Sequence, residues 1–278
     1  MRLAISNIAW DVAEDESVAE LLQRHYIDAI DIAPGKYFPQ AARATVAQID
    51  RVKDWWAARG IEVTGMQALL FGTSGLNVFA PPEGQETLLQ HLTAICRIGG
   101  ELGATRVVFG SPKNRDRSGL SDNDTMATAT SFFRRLGDIA ASHGVTICLE
   151  PNPRCYGANF MTTSEETARV VESVDHPAIR MQLDTGALKI NGEDATTVLQ
   201  EYARLIGHVH ASEPNLLPVG DGGTDHDHVF EALRSYLPDR LVSIEMLATQ
   251  AENHLTSIER ALRVANRSYR PGDRGPSV

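Results

Sequence analysis

At 278 residues, with 42% hydrophobic and 22% charged residues, the chain has the size and composition of one large globular domain. A formal net charge of −10 opposes nucleic-acid binding, which needs a basic face, and docking on an anionic membrane. No apolar run approaches the roughly 20 residues of a membrane helix, and Met1-Arg-Leu-Ala-Ile-Ser-Asn7 enters a strand without the basic and apolar regions of a signal peptide.

Eight strand-like runs follow in chain order, at about 2–8, 28–33, 61–67, 105–110, 145–150, 179–184, 205–211 and 241–246. The segments between and after them carry helical periodicity. The stretch 45–59 places Val46, Ile49, Val52 and Trp56 on one face. Gly60, Gly103 and Gly144 stand just before strands, where a left-handed residue closes a helix. Thr163-Ser-Glu-Glu166 has the form of a capping box opening the fifth helix. Eight strand–loop–helix–glycine units predict an α/β protein, a closed (β/α)8 TIM barrel of about 250 residues. The alternative, an open doubly wound sheet, lacks a Gly-rich fingerprint after the first strand. One domain is expected over 1–266. The tail 267–278, with turn formers and little apolar content, is expected to be disordered.

Short glycine turns lead into the strands, whereas long polar loops leave them, at 34–44, 69–85, 110–121, 151–163 and 211–225. That asymmetry puts the elaborated surface at the C-terminal face, where function is expected. Four of the later strands carry the chemistry. Val145-Thr-Ile-Cys-Leu-Glu150, Ile179-Arg-Met-Gln-Leu-Asp184, Leu205-Ile-Gly-His-Val-His210 and Leu241-Val-Ser-Ile-Glu245 are apolar runs that stop on a metal-binding group. In a parallel barrel these ends meet around one axis, so three carboxylates and an imidazole converge. Like charges that close need a cation or a proton between them. Glu150, Asp184, His210 and Glu245 form a set suited to a divalent metal, Mn2+ first, with Zn2+, Co2+, Ni2+ or Mg2+ as alternatives. Two substrate oxygens on such a cation would acidify the neighbouring C–H through a metal-bound enediolate. Glu150 and Glu245, placed on opposite sides of the barrel, would then serve as the acid–base pair. His208 shares a strand face with His210, which is preferred as ligand because it lies nearer the strand end.

Leu149-Glu150-Pro-Asn-Pro, Leu183-Asp184-Thr-Gly, His208-Val-His210-Ala-Ser-Glu213-Pro and Ser243-Ile-Glu245-Met resemble the sugar phosphate isomerase/epimerase superfamily of xylose isomerase-like barrels. The similarity runs from Ser6-Asn-Ile-Ala-Trp10 to Glu245. By resemblance to its ketose 3-epimerases, Glu150 and Glu245 would be ligands and acid–base pair together, with Asp184 and His210 as ligands only. The chain departs from those epimerases at Ala187, where they usually carry a histidine. It departs again in Glu213-Pro-Asn-Leu-Leu-Pro, where they carry an arginine. The related apurinic endonucleases need more histidines for three zincs and a basic DNA face.

Residues placed to read a substrate come from the loops. Lys113 and Arg115 follow the fourth strand and suit a phosphate or carboxylate. Arg154 and Tyr156 follow Glu150 and suit hydroxyls. Gln67 ends the third strand, and Trp10 closes the first, as a wall for a sugar's C–H face or as core. Glu213 is set to hydrogen-bond the His210 imidazole or a substrate hydroxyl. Asp225-His226-Asp227-His228 reads as a helix cap with exposed histidines, although it looks like a metal tract. Cys96, Cys148 and Cys155, odd in number and without metal-site spacing, suit a reduced, cytoplasmic setting. Cys148 reads as core, and Cys155 lacks an adjacent activating histidine.

Together these features predict a metal-dependent isomerase or epimerase of a small polyhydroxylated carbonyl compound. Two alternatives remain open: a keto-cyclitol dehydratase or keto-sugar lyase on the same site, and a non-catalytic sugar-binding barrel. A homodimer is a further arrangement open to such a barrel.

Overall fold

A computed structural model describes residues 1–272. Eight parallel strands close into one barrel in chain order: β1 (Leu3–Ser6), β2 (Ala29–Ile32), β3 (Glu62–Met66), β4 (Arg106–Phe109), β5 (Thr146–Leu149), β6 (Ile179–Asp184), β7 (Ile206–Ser212) and β8 (Val242–Glu245). The ring shuts where Leu3 pairs with Val242 and Ile5 with Ile244. Around it run α1 (Asp15–Arg24), α2 (Pro34–Tyr37), α3 (Val46–Ala57), α4 (Pro82–Leu102), α5 (Asp122–Ser142), α6 (Ser164–Val174), α7 (Thr185–Asn191), α8 (Ala195–Tyr202), α9 (His226–Tyr236) and α10 (His254–Tyr269). Each expected strand has its counterpart, within about two residues at either end.

Strand alternation separates two chemistries. On β6, β7 and β8 the buried apolar residues Met181, Leu183, Val209, Ala211, Val242 and Ile244 join the main core. The intervening positions Gln182, Asp184, His208, His210, Ser212, Ser243 and Glu245 are polar and also buried. A barrel whose inward positions are polar at one end has chosen a site over packing there.

Several local details differ from expectation. On α3, Ile49 and Trp56 are buried, but Val46 at its first turn is 51% exposed. Gly60, Gly103 and Gly144 do adopt positive φ. Thr163 caps α6 by accepting from the Glu166 amide, yet the Glu166 carboxylate binds the Thr162 amide instead of closing a capping box. The tail boundary also moves. Arg267 and Ser268 lie within α10, and Tyr269 is wholly buried, its hydroxyl paired with His226 Nδ1 at 2.8 Å. Residues 273–278 of the expected tail lie outside the described residues. Among the described residues, no helix is long and apolar enough to cross a membrane.

Candidate metal centre

The four strand-end donors come together. One ligand atom each from Glu150, Asp184, His210 and Glu245 lies within 4.8 Å of the others. His210 Nδ1 stands 3.4 Å from Glu150 Oε1, 3.3 Å from Glu245 Oε2 and 4.0 Å from Asp184 Oδ2. Register sets the heights: Asp184 pairs with His210 and His210 with Ser243, whereas Glu245 pairs with Ser212, two residues further along the barrel. Glu150 and Glu245 stand three strands apart around the ring and not on opposite sides of it, and their carboxylates meet at the same imidazole.

Each carboxylate is held from outside. Asp184 is the N-cap of α7: its Oδ1 accepts from the Ala187 amide at 2.6 Å, and its Oδ2 from Ser212 Oγ at 2.7 Å. Glu245 Oε1 accepts from Gln67 Nε2 at 2.9 Å, and Glu150 Oε2 from Asn152 Nδ2 at 3.1 Å. Glu150 Oε1 is buried without a hydrogen-bond partner. Gly110 lets Glu150 in, because a Cβ there would stand 2.1 Å from Glu150 Oε2.

The electrostatics of the cluster call for positive charge. Burial, then the charges of Glu245 and Glu150, push the Asp184 carboxyl well above its usual range. Burial works against a charged His210, but Glu245 and Glu150 outweigh it and raise the imidazole well above its ordinary value. Burial favours the neutral acid at Glu245, but the charge and hydrogen bond of His210, with the hydrogen bonds of Asp184 and Gln67, together hold its carboxyl below the ordinary value. Three carboxylates, one imidazole nitrogen and an unpartnered carboxylate oxygen are a donor set that fits a hard or borderline divalent cation.

The expected substrate readers divide. Gln67 is buried and touches Glu245, so it belongs to the centre. Lys113 is exposed, and Arg154 is exposed with Glu166 at 3.8 Å. Tyr156 is partly exposed, and its hydroxyl accepts from the Asn215 amide at 2.6 Å, joining two loops that leave the barrel. Three others have structural commitments. Arg115 is buried, with burial pushing its guanidinium down to about 10, so it remains a cation at neutral pH. Its Nη1 donates to the Glu150 carbonyl at 2.6 Å and is not offered to a ligand. Trp10 is fully buried, with Nε1 on Asp15 and its ring edge-on to Trp56. Glu213 accepts from the Gly220 and Thr224 amides and pairs with His226 Nε2 at 3.2 Å, away from His210. The expected exposed histidine pair is split as well: Asp225 caps α9 and His228 is exposed, whereas His226 is buried.

Sequence reading missed Asn152, Ser212 and Asp31. Ser212 follows His210 by two residues on β7, a spacing that signals a shared strand face, whereas Asn152 lies in the loop beyond β5. Asp31, on β2, bonds His208 Nε2 at 2.7 Å. It stands inside the apolar run Ala29-Ile-Asp-Ile-Ala33, a polar residue in an otherwise buried strand.

A family model for the xylose isomerase-like TIM barrel matches residues 19–267, and the chain belongs to that family. A ketose 3-epimerase of Arthrobacter globiformis is 26% identical over 136 residues, which is 48% of this chain and 46% of the relative. An inosose dehydratase of Geobacillus thermodenitrificans is 32% identical over 124 residues, 36% of this chain and 40% of the relative. The chain thus spans less than half the length of these curated relatives. A D-psicose 3-epimerase from Clostridium cellulolyticum H10, solved with D-tagatose, superposes with TM-score 0.80 over 97% of this chain and 99% of that one; at 19% identity this is a likeness of fold.

Proposed function

We propose that the protein is a divalent-metal-dependent epimerase or isomerase of an unphosphorylated ketose or related keto-sugar. The observation that carries this reading is the convergence of Glu150, Asp184, His210 and Glu245, with two glutamates each tethered by a separate amide. The four side chains would hold the cation, which supplies Lewis-acid polarisation of a substrate carbonyl. Gln67 and Asn152 each fix one oxygen of a glutamate and leave its second oxygen toward the centre. Of the pair, one carboxylate accepts the proton from the carbon beside the carbonyl and the other returns a proton to it. Ser212 and the Ala187 amide hold Asp184 as an orienting group, with neither oxygen free to act as base. An unphosphorylated substrate is favoured because Arg115 turns inward, which leaves Lys113 as the one cation of the 110–115 turn at the surface.

A second reading keeps the site and ends in loss of water from a keto-cyclitol. It is favoured by the 32% identity to an inosose dehydratase over 124 residues. Incubation of ketoses and inososes with Mn2+ in D2O, followed by proton NMR, separates the two. Epimerisation washes deuterium into recovered substrate and product, whereas dehydration builds an enone absorbance. Glu245→Gln should lower turnover by about 10²–10⁴-fold. If none of these compounds exchanges label or loses water in the Mn2+-loaded protein, the catalytic reading fails and a sugar-binding barrel remains.

A further inference from the structure

Beside the four donors lies a buried polar pair with no part in the chemistry above. His208 on β7 donates from Nε2 to Asp31 Oδ2 on β2 at 2.7 Å, with side-chain exposures of 0% and 1%. Asp31 Oδ1 also accepts from Thr64 Oγ1 at 3.0 Å. Gly65 shapes the other wall, since a Cβ there would stand 2.5 Å from Asp31 Oδ1. The His208 ring meets His210 edge-on, with centroids 5.2 Å apart and planes at 77°. One ligand-type atom from each of Asp31, His208 and His210 lies within 4.8 Å of the other two.

That triad resembles a second cation site, but its geometry is that of a hydrogen bond. Nitrogen and oxygen at 2.7 Å share a proton directly. A metal holding both at about 2.0–2.2 Å each would, at a tetrahedral or octahedral angle, keep them farther apart. What remains is a buried acid–imidazole pair whose ring packs edge-on to His210. Burying a carboxylate and an imidazole in a barrel is costly unless they are paired. Groups around a metal-binding histidine commonly fix its ring orientation and tautomer.

We propose that Asp31 and His208 are positioning residues for His210. Asp31 holds the His208 ring in one tautomer and one orientation. The His208 ring, packed against His210, fixes the direction in which His210 Nδ1 faces the three carboxylates. The negative charge of Asp31 adds to the field that favours a cation there. Neither residue touches substrate. The inference rests on the cation centre proposed above.

Its test is direct Mn2+ titration followed by electron paramagnetic resonance, with thermal melting of each variant as the control for folding. Asp31→Leu should weaken Mn2+ binding by about 10–100-fold. Asp31→Asn should weaken it by only a few-fold, because the amide oxygen still accepts from His208 Nε2. Thr64→Val should fall between wild type and Asp31→Asn. Imidazole 15N spectra give an independent readout: wild-type His208 carries its proton on Nε2, and Asp31→Leu shows a tautomer mixture. Wild-type Mn2+ affinity in folded Asp31→Leu overturns the proposal. Should Asp31→Leu not fold, wild-type affinity in both Asp31→Asn and Thr64→Val overturns it equally. A wild type that binds no Mn2+ defeats the centre itself. The nitrogen spectra then decide alone, and an unchanged His208 tautomer in Asp31→Leu refutes the bracing role.

Discussion

Glu150 sits where it does because of what its neighbours lack as much as what they offer. Gly110 has no side chain to occupy the space of Glu150 Oε2, and Arg115 anchors the Glu150 carbonyl from behind at 2.6 Å. Gly110→Ala should therefore push the carboxylate out of line, and a displacement near 1 Å costs about 10²-fold in rate. We expect turnover to drop by at least about tenfold in a variant that melts close to wild type, measured with the ketose that proves active; unchanged turnover would show the Glu150 position to be unimportant. The donors themselves were legible because each ends an apolar run on one polar atom set. The orientation of Arg115 was not. A cation on a loop after a strand reads as a substrate anchor, and only the tertiary arrangement puts a carbonyl, instead of solvent, beside its guanidinium. Trp10 was ambiguous for a related reason: a tryptophan at a strand mouth serves a sugar or the core equally well, and here Asp15 satisfies its N–H at 2.7 Å.

At the scale of elements, the segment between β7 and α9 is organised by Glu213. Its carboxylate gathers two loop amides and the buried His226, which in turn reaches Tyr269 on α10. Burial favours the neutral acid, but the hydrogen bonds from His226, Thr224 and Gly220 outweigh it and hold the carboxyl down at about 2. The folded value lies below the unfolded one near 4.5, so the ionised form stabilises the fold. That contribution, about 3 kcal/mol by linkage, is present above about pH 4.5 and is lost as pH falls toward 2. Glu213→Gln should consequently be less stable than wild type at neutral pH and lose less on acidification; denaturant melts from pH 7 to 2.5 that run parallel for the two proteins would contradict this. The sequence carried the carboxylate's position three residues past His210, but whether the chain turns away after a strand depends on contacts 7 to 13 residues downstream. The same distance hid the burial of His226, and it left the end of α10 undetected until Tyr269 found its partner.

Across the whole molecule, the eight strands were readable because a parallel barrel buries both faces of every strand, and such runs stand out between glycine-closed helices. Closure follows from that repetition, and it brings four distant residues to one point. If these residues share a cation, binding is linked to global stability. Free Mn2+ at about 100 times its dissociation constant should add about 2.7 kcal/mol, a rise of about 5 °C or more in melting temperature. EDTA should reverse it, and Asp184→Ala should abolish it. A melting temperature indifferent to both metal and chelator would mean that no strong site forms in the folded state.

The shared cation is tested most directly by anomalous diffraction from crystals grown with Mn2+ and measured at the manganese edge. One strong peak is expected, bonded to Glu150, Asp184, His210 and Glu245 together. A map with no peak among these four side chains, or with manganese bound elsewhere, would contradict it.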